Sequence, residues 1–109
     1  MTNYRRGVLI ELRAAHELQA AGYLVIRAAG SHGPADLVAV GEYVVRLIQC
    51  KRTKGKPGVG LSAAFRELAA LRLPANTSAE LWQYCDGLGW AKWLVSGPIP
   101  PDWHGGLAK

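Results

Sequence analysis

The sequence predicts one α/β domain with a mixed five-stranded sheet, in the order helix, three strands, helix, two strands. Three observations favour this fold. The chain has 109 residues, half of them apolar, which suits a single folded domain rather than disorder. Two stretches show helical periodicity, and the segments between and after them are short apolar runs bounded by glycine and proline.

Residues 4–21 are predicted as the first helix, which Gly22 ends. Its apolar face is expected to contain Val8, Ile10, Leu12, Ala14, Ala15, Leu18 and Ala21. Glu11 falls near the middle of this face, where a carboxylate is costly to bury without a cation or a hydrogen-bond donor. Glu11 is therefore either a structural acid paired with an arginine or part of a site between helix and sheet.

Three strands are predicted next, at residues 23–29, 35–40 and 43–51. A turn at 30–34 follows the first of them. Only Gly41 and Glu42 join the second to the third, so those two should pair as an antiparallel hairpin.

A basic, glycine-rich loop is predicted at residues 52–60, followed by a second amphipathic helix at 61–73 with Pro74 as its stop. The remaining predicted strands, 80–85 and 90–95, form a second hairpin. We expect residues 1–95 to be the functional domain and 96–109 to be a Pro/Gly-rich tail without regular structure.

The net charge of +5 suits a polyanionic partner. Its distribution says more, because six of the 13 cations fall into two groups, Arg5 and Arg6 in the first helix and Lys51, Arg52, Lys54 and Lys56 around the loop. A phosphate-binding role for these groups competes with that of a solvated charge run.

The two cysteines, Cys50 and Cys85, have no metal-ligand spacing and are expected to be reduced core thiols. No apolar run approaches the roughly 20 residues of a membrane helix, and no signal peptide pattern is visible. The expected protein is soluble and cytoplasmic, in a prokaryotic or a virus-infected cell.

Four polar side chains should converge at one edge of the sheet. Gln49 and Lys51 point to the same face of their strand, about 7 Å apart. Asp36 begins the neighbouring strand, and Glu11 would arrive from the helix. Two carboxylates, an amide oxygen and a lysine would then meet.

This set suits hydrolysis of a phosphodiester. Carboxylate and amide oxygens bind Mg²⁺, which neutralises the phosphate and acidifies a bound water. Lys51 would hold or deprotonate that water and stabilise the transition state. The backbone carbonyl of Cys50 could add a metal ligand. Ser31 and His32 could touch phosphate or water, or could be ordinary turn residues.

The chain strongly resembles the PD-(D/E)xK nuclease superfamily. The resemblance is carried by Glu11, by the run Gly30-Ser31-His32-Gly33-Pro34-Ala35-Asp36-Leu37-Val38 and by Gln49-Cys50-Lys51. The match is closest to the archaeal-type Holliday junction resolvases and their viral relatives, over about residues 4–73. The resemblance implies a restriction-endonuclease-like fold and a homodimer that cuts opposing strands of a four-way junction. It also implies Mg²⁺ or Mn²⁺ as cofactor and 5′-phosphate products.

Carried over by position, the resemblance assigns residue roles. The metal-site residues are Glu11, Asp36 and Gln49, the catalytic lysine is Lys51, and Ser31 is the accessory serine. The residues matching DNA-backbone contacts are Arg5, Arg6, Arg52 and Lys54. One departure matters, because the family usually has Glu at position 49. With Gln49 the metal ligands carry a charge of −2 instead of −3, which suffices for one Mg²⁺ and weakens a second.

Three functions therefore compete. A junction resolvase leads, followed by another PD-(D/E)xK nuclease (repair, flap or restriction-like) and by a DNA-binding module silenced through Gln49. Intact Glu11, Asp36 and Lys51 argue against the third. The candidates for a dimer interface are Phe65, Leu68, Trp82, Trp90, Trp93 and Trp103, although core packing explains most of them equally well.

Overall fold

The computed structural model describes residues 2–28 and 33–107. Two helices and six strands follow one another along the chain: α1 (Asn3–Ala20), β1 (Leu24–Arg27), β2 (Leu37–Val40), β3 (Val45–Thr53), α2 (Ser62–Ala69), β4 (Thr77–Cys85), β5 (Gly89–Ser96) and β6 (Gly106–Leu107). No helix in this described part of the chain is long and apolar enough to cross a membrane.

The six strands form one sheet in sequence order, β1-β2-β3-β4-β5-β6. The β2–β3 and β4–β5 pairs are antiparallel, as the short connections predicted, and β1 is also antiparallel to β2. β3 and β4 run parallel, with α2 as the crossover between them. The predicted mixed α/β fold is thus confirmed, and the sheet has one strand more than predicted.

The additional strand lies in the tail. Gly106–Leu107 pairs in parallel with Trp93 and Leu94, although proline and glycine predicted no regular structure there. Asp102 of the same tail hydrogen-bonds the side chains of Tyr23 and Arg46, so the tail packs on the rest of the fold.

α1 has well-defined ends. The Thr2 hydroxyl accepts from the Arg5 N–H at its start. At its end Gly22 adopts φ +98°, and the Tyr23 and Gly22 N–H groups bond the carbonyls of Leu18 and Gln19. This is the glycine-dependent cap that the sequence indicated.

The buried stripe of α1 is narrower than predicted. Ile10, Ala14, Ala15 and Leu18 are buried, but Leu12 and Ala21 are exposed, which corrects the predicted face. A straight helix on a sheet covers only the residues that face it, and Ala21 belongs to the exposed terminal cap.

The two helices cover opposite faces of the sheet. Below α1 the buried side chains include Leu37, Ala39, Ile48 and Trp82. Below α2 the core contains Leu61, Ala64, Leu68, Ala79 and Leu81. Trp82 and Leu68 are therefore core residues, and the expectation that they could form a dimer interface is wrong.

α2 ends at Ala69, four residues before the predicted end at Leu73. Leu71 and Leu73 leave the helix and pack against the core below α2. Proline also disfavours helical backbone at the residue before it, so Pro74 opposes continuation of the helix at Leu73 as well as at its own position.

α2 packs on β4 and β5 and leaves part of its face of the sheet uncovered. Leu24 and Ile26 of β1 are 65% and 54% exposed there. Their cross-strand neighbours are half-buried valines and a leucine. We call this surface the open sheet face: Leu24, Ile26, Val38, Val40, Val45 and Leu47.

A buried ion pair crosses from β3 to β4 on the α1 face. Arg46 Nε and Nη2 donate to the two carboxylate oxygens of Glu80, at 2.7 and 2.8 Å. Trp82 Nε1 and Ser78 Oγ also donate to Glu80, at 3.0 and 3.1 Å. Hydrogen bonds and the Glu80 charge raise the pKa of Arg46 despite the opposing effect of burial, which keeps the guanidinium charged.

Candidate functional site

The β2–β3 hairpin places Asp36 beside the end of β3. Asp36 N donates to the Ile48 carbonyl at 2.8 Å, and Asp36 Oδ2 accepts from the Cys50 N–H at 2.8 Å. Because the N–H and C=O of one strand residue point to the same neighbour, the Cys50 carbonyl is directed towards the Asp36 side of β3. The carbonyl of Cys50, the proposed backbone ligand, therefore lies on the same side of β3 as the Asp36 carboxylate.

Gln49 has an unsatisfied oxygen in the site. Its side chain is 8% exposed, and Gln49 Oε1 is buried without a hydrogen-bond partner. An unpaired buried carbonyl oxygen costs roughly 1–3 kcal/mol, so its presence calls for a donor or a cation. Asp36 lies opposite Gln49 across the hairpin, one residue before the Leu37–Ile48 pair. The unsatisfied oxygen therefore belongs to the same site as Asp36.

Glu11 reaches the site from α1, held by an arginine. Glu11 Oε1 accepts from Arg27 Nε at 2.9 Å. Both side chains are partly buried, at 19% and 28% exposure. Burial and the Asp36 charge raise the pKa of Glu11, while the hydrogen bond and charge of Arg27 oppose them. Glu11 is thus paired with an arginine, as one of the two alternatives expected. It also lies close enough to Asp36 for that charge to raise its pKa.

Lys51 is exposed two residues beyond Gln49 on the same face of β3. Burial raises the pKa of Asp36, and the Cys50 N–H, the Lys51 charge and the Arg27 charge lower it in part. Burial, with the charges of Asp36 and Glu11, also raises the pKa of the Cys50 thiol well above its usual value. Burial is the largest cause of all three shifts, and neighbouring carboxylate charge adds to it at Glu11 and at Cys50 but not at Asp36.

These donors fit a hard divalent cation. Two carboxylates with raised pKa values, one unsatisfied amide oxygen and one directed carbonyl lie around the start of β2 and the second half of β3, and oxygen donors are what Mg²⁺ and Mn²⁺ prefer. Within residues 2–28 and 33–107, no three His, Cys, Asp or Glu side chains form a metal-binding group. The amide and the carbonyl would therefore have to complete the ligand set.

The predicted DNA-binding cations take three different positions. Arg5 and Arg6 lie in the first turn of α1, Arg5 exposed and Arg6 half-buried. Lys54 and Lys56 are exposed in the loop after β3. Arg52 instead forms an ion pair with Asp86, with Nη2 and Oδ2 2.5 Å apart, so its charge is shared within the protein.

The loop after β3 is fixed by a fully buried glutamine. Gln83 Oε1 accepts from the Gly58 N–H at 2.8 Å, and Gln83 Nε2 donates to the Val59 carbonyl at 3.1 Å. Gln83 is the β4 partner of Lys51. One buried side chain thus joins the backbone of the basic loop to the strand position beside the lysine.

Ser31 and His32 lie outside the described residues, so their assignment as an accessory serine and a phosphate contact stays a prediction.

Sequence reasoning missed Arg27 and Gln83. Arg27 sits at the end of a short strand, and only the packing of α1 over that strand brings it to Glu11. A weak signal existed for Gln83, because a glutamine inside a buried strand needs hydrogen-bond partners. Neither partner can be chosen from sequence, because both are distant along the chain.

The chain resembles known proteins in both sequence and fold. The family model described as archaeal Holliday junction resolvase (Hjc) matches residues 2–64. A similar solved structure is a 1.6 Å structure of Hjc from Archaeoglobus fulgidus, a Holliday junction resolvase from an archaeal hyperthermophile. The two share 23% identity with a TM-score of 0.67, over 83% of this chain and 73% of that chain. No curated protein matches significantly.

The family match covers more than half of the chain and includes Glu11, Asp36, Gln49 and Lys51. The resemblance drawn from those residues is confirmed, and the structural match agrees with the fold. The chain therefore belongs to the archaeal Holliday junction resolvase family, a family of structure-specific endonucleases that act on branched DNA with a divalent metal ion.

Proposed function

We propose that this protein resolves four-way DNA junctions by Mg²⁺-dependent, paired nicks in opposing strands, leaving 5′-phosphate ends. The observation that carries the proposal is the buried, unpartnered Gln49 oxygen at the strand position opposite Asp36, whose carboxyl pKa, like that of Glu11, is raised by burial. Buried side-chain oxygens in proteins usually have a hydrogen-bond partner, so an unpartnered one is available to a cation.

In this proposal Glu11, Asp36, Gln49 Oε1 and the Cys50 carbonyl hold the metal. When bound, a divalent ion supplies charge neutralisation of the phosphate and acidification of a coordinated water. The protein's own residues do the rest. The Cys50 N–H fixes the Asp36 carboxylate at 2.8 Å. Lys51, exposed on the same strand face as Gln49, orients the attacking water and stabilises charge on the phosphate oxygens.

Arg27 holds the Glu11 carboxylate in place and offsets part of its charge. The basic positions Arg5, Arg6, Lys54 and Lys56 would contact phosphates without reading bases, which gives sequence-independent and salt-sensitive binding. Arg52 contributes less than predicted, since Asp86 already pairs with it.

The experiment that tests this function is cleavage of a labelled four-way junction with Mg²⁺, beside a linear duplex and a flap of the same sequence. Symmetric paired nicks in the junction alone are expected. Preferential cutting of the flap or the duplex would contradict the proposed substrate and keep the nuclease. Binding of the junction without cutting, in Mn²⁺ as well, would favour a silent module.

Gln49→Glu should lower the Mg²⁺ concentration for half-maximal cleavage by at least about tenfold, because it adds a negative charge next to the cation. Cleavage rates at increasing Mg²⁺ measure this. Gln49→Leu, which removes the oxygen and keeps the bulk, is the matched control and should need more Mg²⁺. An inactive but folded Gln49→Glu protein would show that the amide itself is required.

Paired cutting requires two sites at a fixed separation, which a two-fold homodimer supplies. The open sheet face is the surface that we assign to this dimer. It combines Leu24 and Ile26, both more than half exposed, with four half-buried apolar neighbours. Contiguous exposed apolar surface on a small protein marks interaction sites.

Ile26→Glu should therefore convert the dimer to a monomer, because a pair of carboxylates would be buried at the two-fold contact. Light scattering during size-exclusion chromatography measures the mass. In parallel, paired cutting should give way to single nicks. Leu88→Glu is the matched control, since Leu88 is 69% exposed in the β4–β5 turn. An Ile26→Glu protein that stays dimeric would place the interface elsewhere.

A further inference from the structure

A surface cleft of about 400 Å³ lies between the first turns of α1 and the end of β1. Its lining residues are Tyr4, Arg5, Val8, Leu9 and Arg27. The volume is within the range of sites that hold small ligands. Tyr4 is 75% exposed, so most of an aromatic ring is presented to solvent. The lining thus combines an aromatic ring, apolar side chains and two guanidinium groups, and the described lining residues include no acid.

The cleft adjoins the metal site. Tyr4, Val8 and Glu11 recur along one face of α1 at intervals of four and three residues. Tyr4 therefore lies about 10 Å from Glu11 along the helix axis. Arg27 belongs to both places, since it lines the cleft and its Nε donates to Glu11 at 2.9 Å. The cleft is therefore next to the proposed metal site.

Arg27 lines the cleft, and its Nε donates to Glu11 at 2.9 Å. A guanidinium offers five N–H donors, and it binds phosphate well. Arg5 adds a second, exposed guanidinium. The cleft thus offers a nucleotide phosphate one exposed guanidinium, Arg5, and a second, Arg27, whose charge is shared with Glu11.

The aromatic ring selects the kind of nucleotide. An exposed tyrosine stacks on any base whose face is accessible, whereas bases inside a continuous duplex have both faces covered. Where the arms of a four-way junction are unstacked, the bases at the branch point expose a face. Tyr4 is thus suited to branch-point bases and provides a reason for structure-specific recognition without base-edge contacts.

We propose that this cleft binds one nucleotide next to the branch point, with Tyr4 stacking on its base and Arg5 and Arg27 contacting phosphate. The inference rests on the proposed function, since it assigns a shape-selective subsite to the same nuclease site. Tyr4 then acts as a specificity residue for branched over linear DNA, and its role is separate from cleavage chemistry.

The test uses the full chain and four-way junctions that carry a single 2-aminopurine at each branch-point position in turn. Binding is measured without divalent metal, so that no strand is cut. For at least one position, stacking on Tyr4 should change the 2-aminopurine fluorescence on binding. Tyr4→Leu should abolish that change and weaken junction binding about tenfold, with little effect on linear duplex. Tyr4→Phe should retain both the signal and the affinity.

Tyr43→Leu is the matched control, because Tyr43 is 81% exposed and lies in the β2–β3 connection, away from the cleft. Circular dichroism checks that all variants fold. A Tyr4→Leu protein with native junction affinity and native fluorescence change would overturn the inference while the native chain still cuts junctions. If the native chain neither prefers nor cuts junctions, the proposed function fails and this inference fails with it.

Discussion

Lys51→Ala is expected to reduce junction cleavage by about 10²–10⁴-fold while changing junction affinity only a few-fold. The large factor follows from the loss of the group that orients water and stabilises transition-state charge. The small factor follows because the chain has many other cations for phosphate, including the exposed Lys54 and Lys56. Single-turnover cleavage and equilibrium binding to the same labelled junction separate the two effects.

Lys56→Ala is the matched control, since it also removes an exposed lysine a few residues from the site. It should weaken binding modestly, reduce its salt dependence and leave the single-turnover rate of the saturated complex near that of the native chain. A Lys51→Ala protein that loses affinity and cleavage equally would show that Lys51 is a DNA contact rather than a catalytic group.

The largest expected effect on stability comes from Arg46, far along β3 from the metal site. Arg46→Met should lower the free energy of unfolding by about 3–5 kcal/mol, because it leaves Glu80 fully buried without its cation. Asp102 loses the same partner, although the Tyr23 hydroxyl still donates to it at 2.6 Å. Such a loss is a large fraction of the 5–15 kcal/mol typical of a domain.

Urea unfolding of the native chain, Arg46→Met and Arg52→Met measures this effect. Arg52 also pairs with a carboxylate, but the Arg52–Asp86 pair is about 30% exposed, so its loss should cost about 1 kcal/mol or less. Adding Glu80→Gln to Arg46→Met should recover part of the loss, since it removes the stranded charge. Equal stability of Arg46→Met and Arg52→Met would contradict the assignment of the Arg46–Glu80 pair as a stabilising core element.

Local sequence was enough to predict the order of the elements from α1 to β5 and the part of the site that lies on the β2–β3 hairpin. A two-residue connection between apolar runs permits only a hairpin, and strand alternation then fixes which side chains share a face. Those two rules place Asp36 beside the end of β3 and put Gln49 and Lys51 on one face. The register in the structure agrees. The end of α2 and the presence of β6 were not predicted, because both depend on what the chain packs against.

By itself, therefore, the sequence determined the α/β order, the family and the candidate metal ligands, all of which follow from short-range periodicity and a local motif. Tertiary structure alone decided the Glu11–Arg27 contact, the Arg46–Glu80–Asp102 network, the hydrogen bonds of Gln83 to the loop after β3 and the open sheet face. The physical reason is common to all four. Each depends on which distant surfaces meet, and side-chain periodicity specifies that a face is buried or polar without specifying its partner.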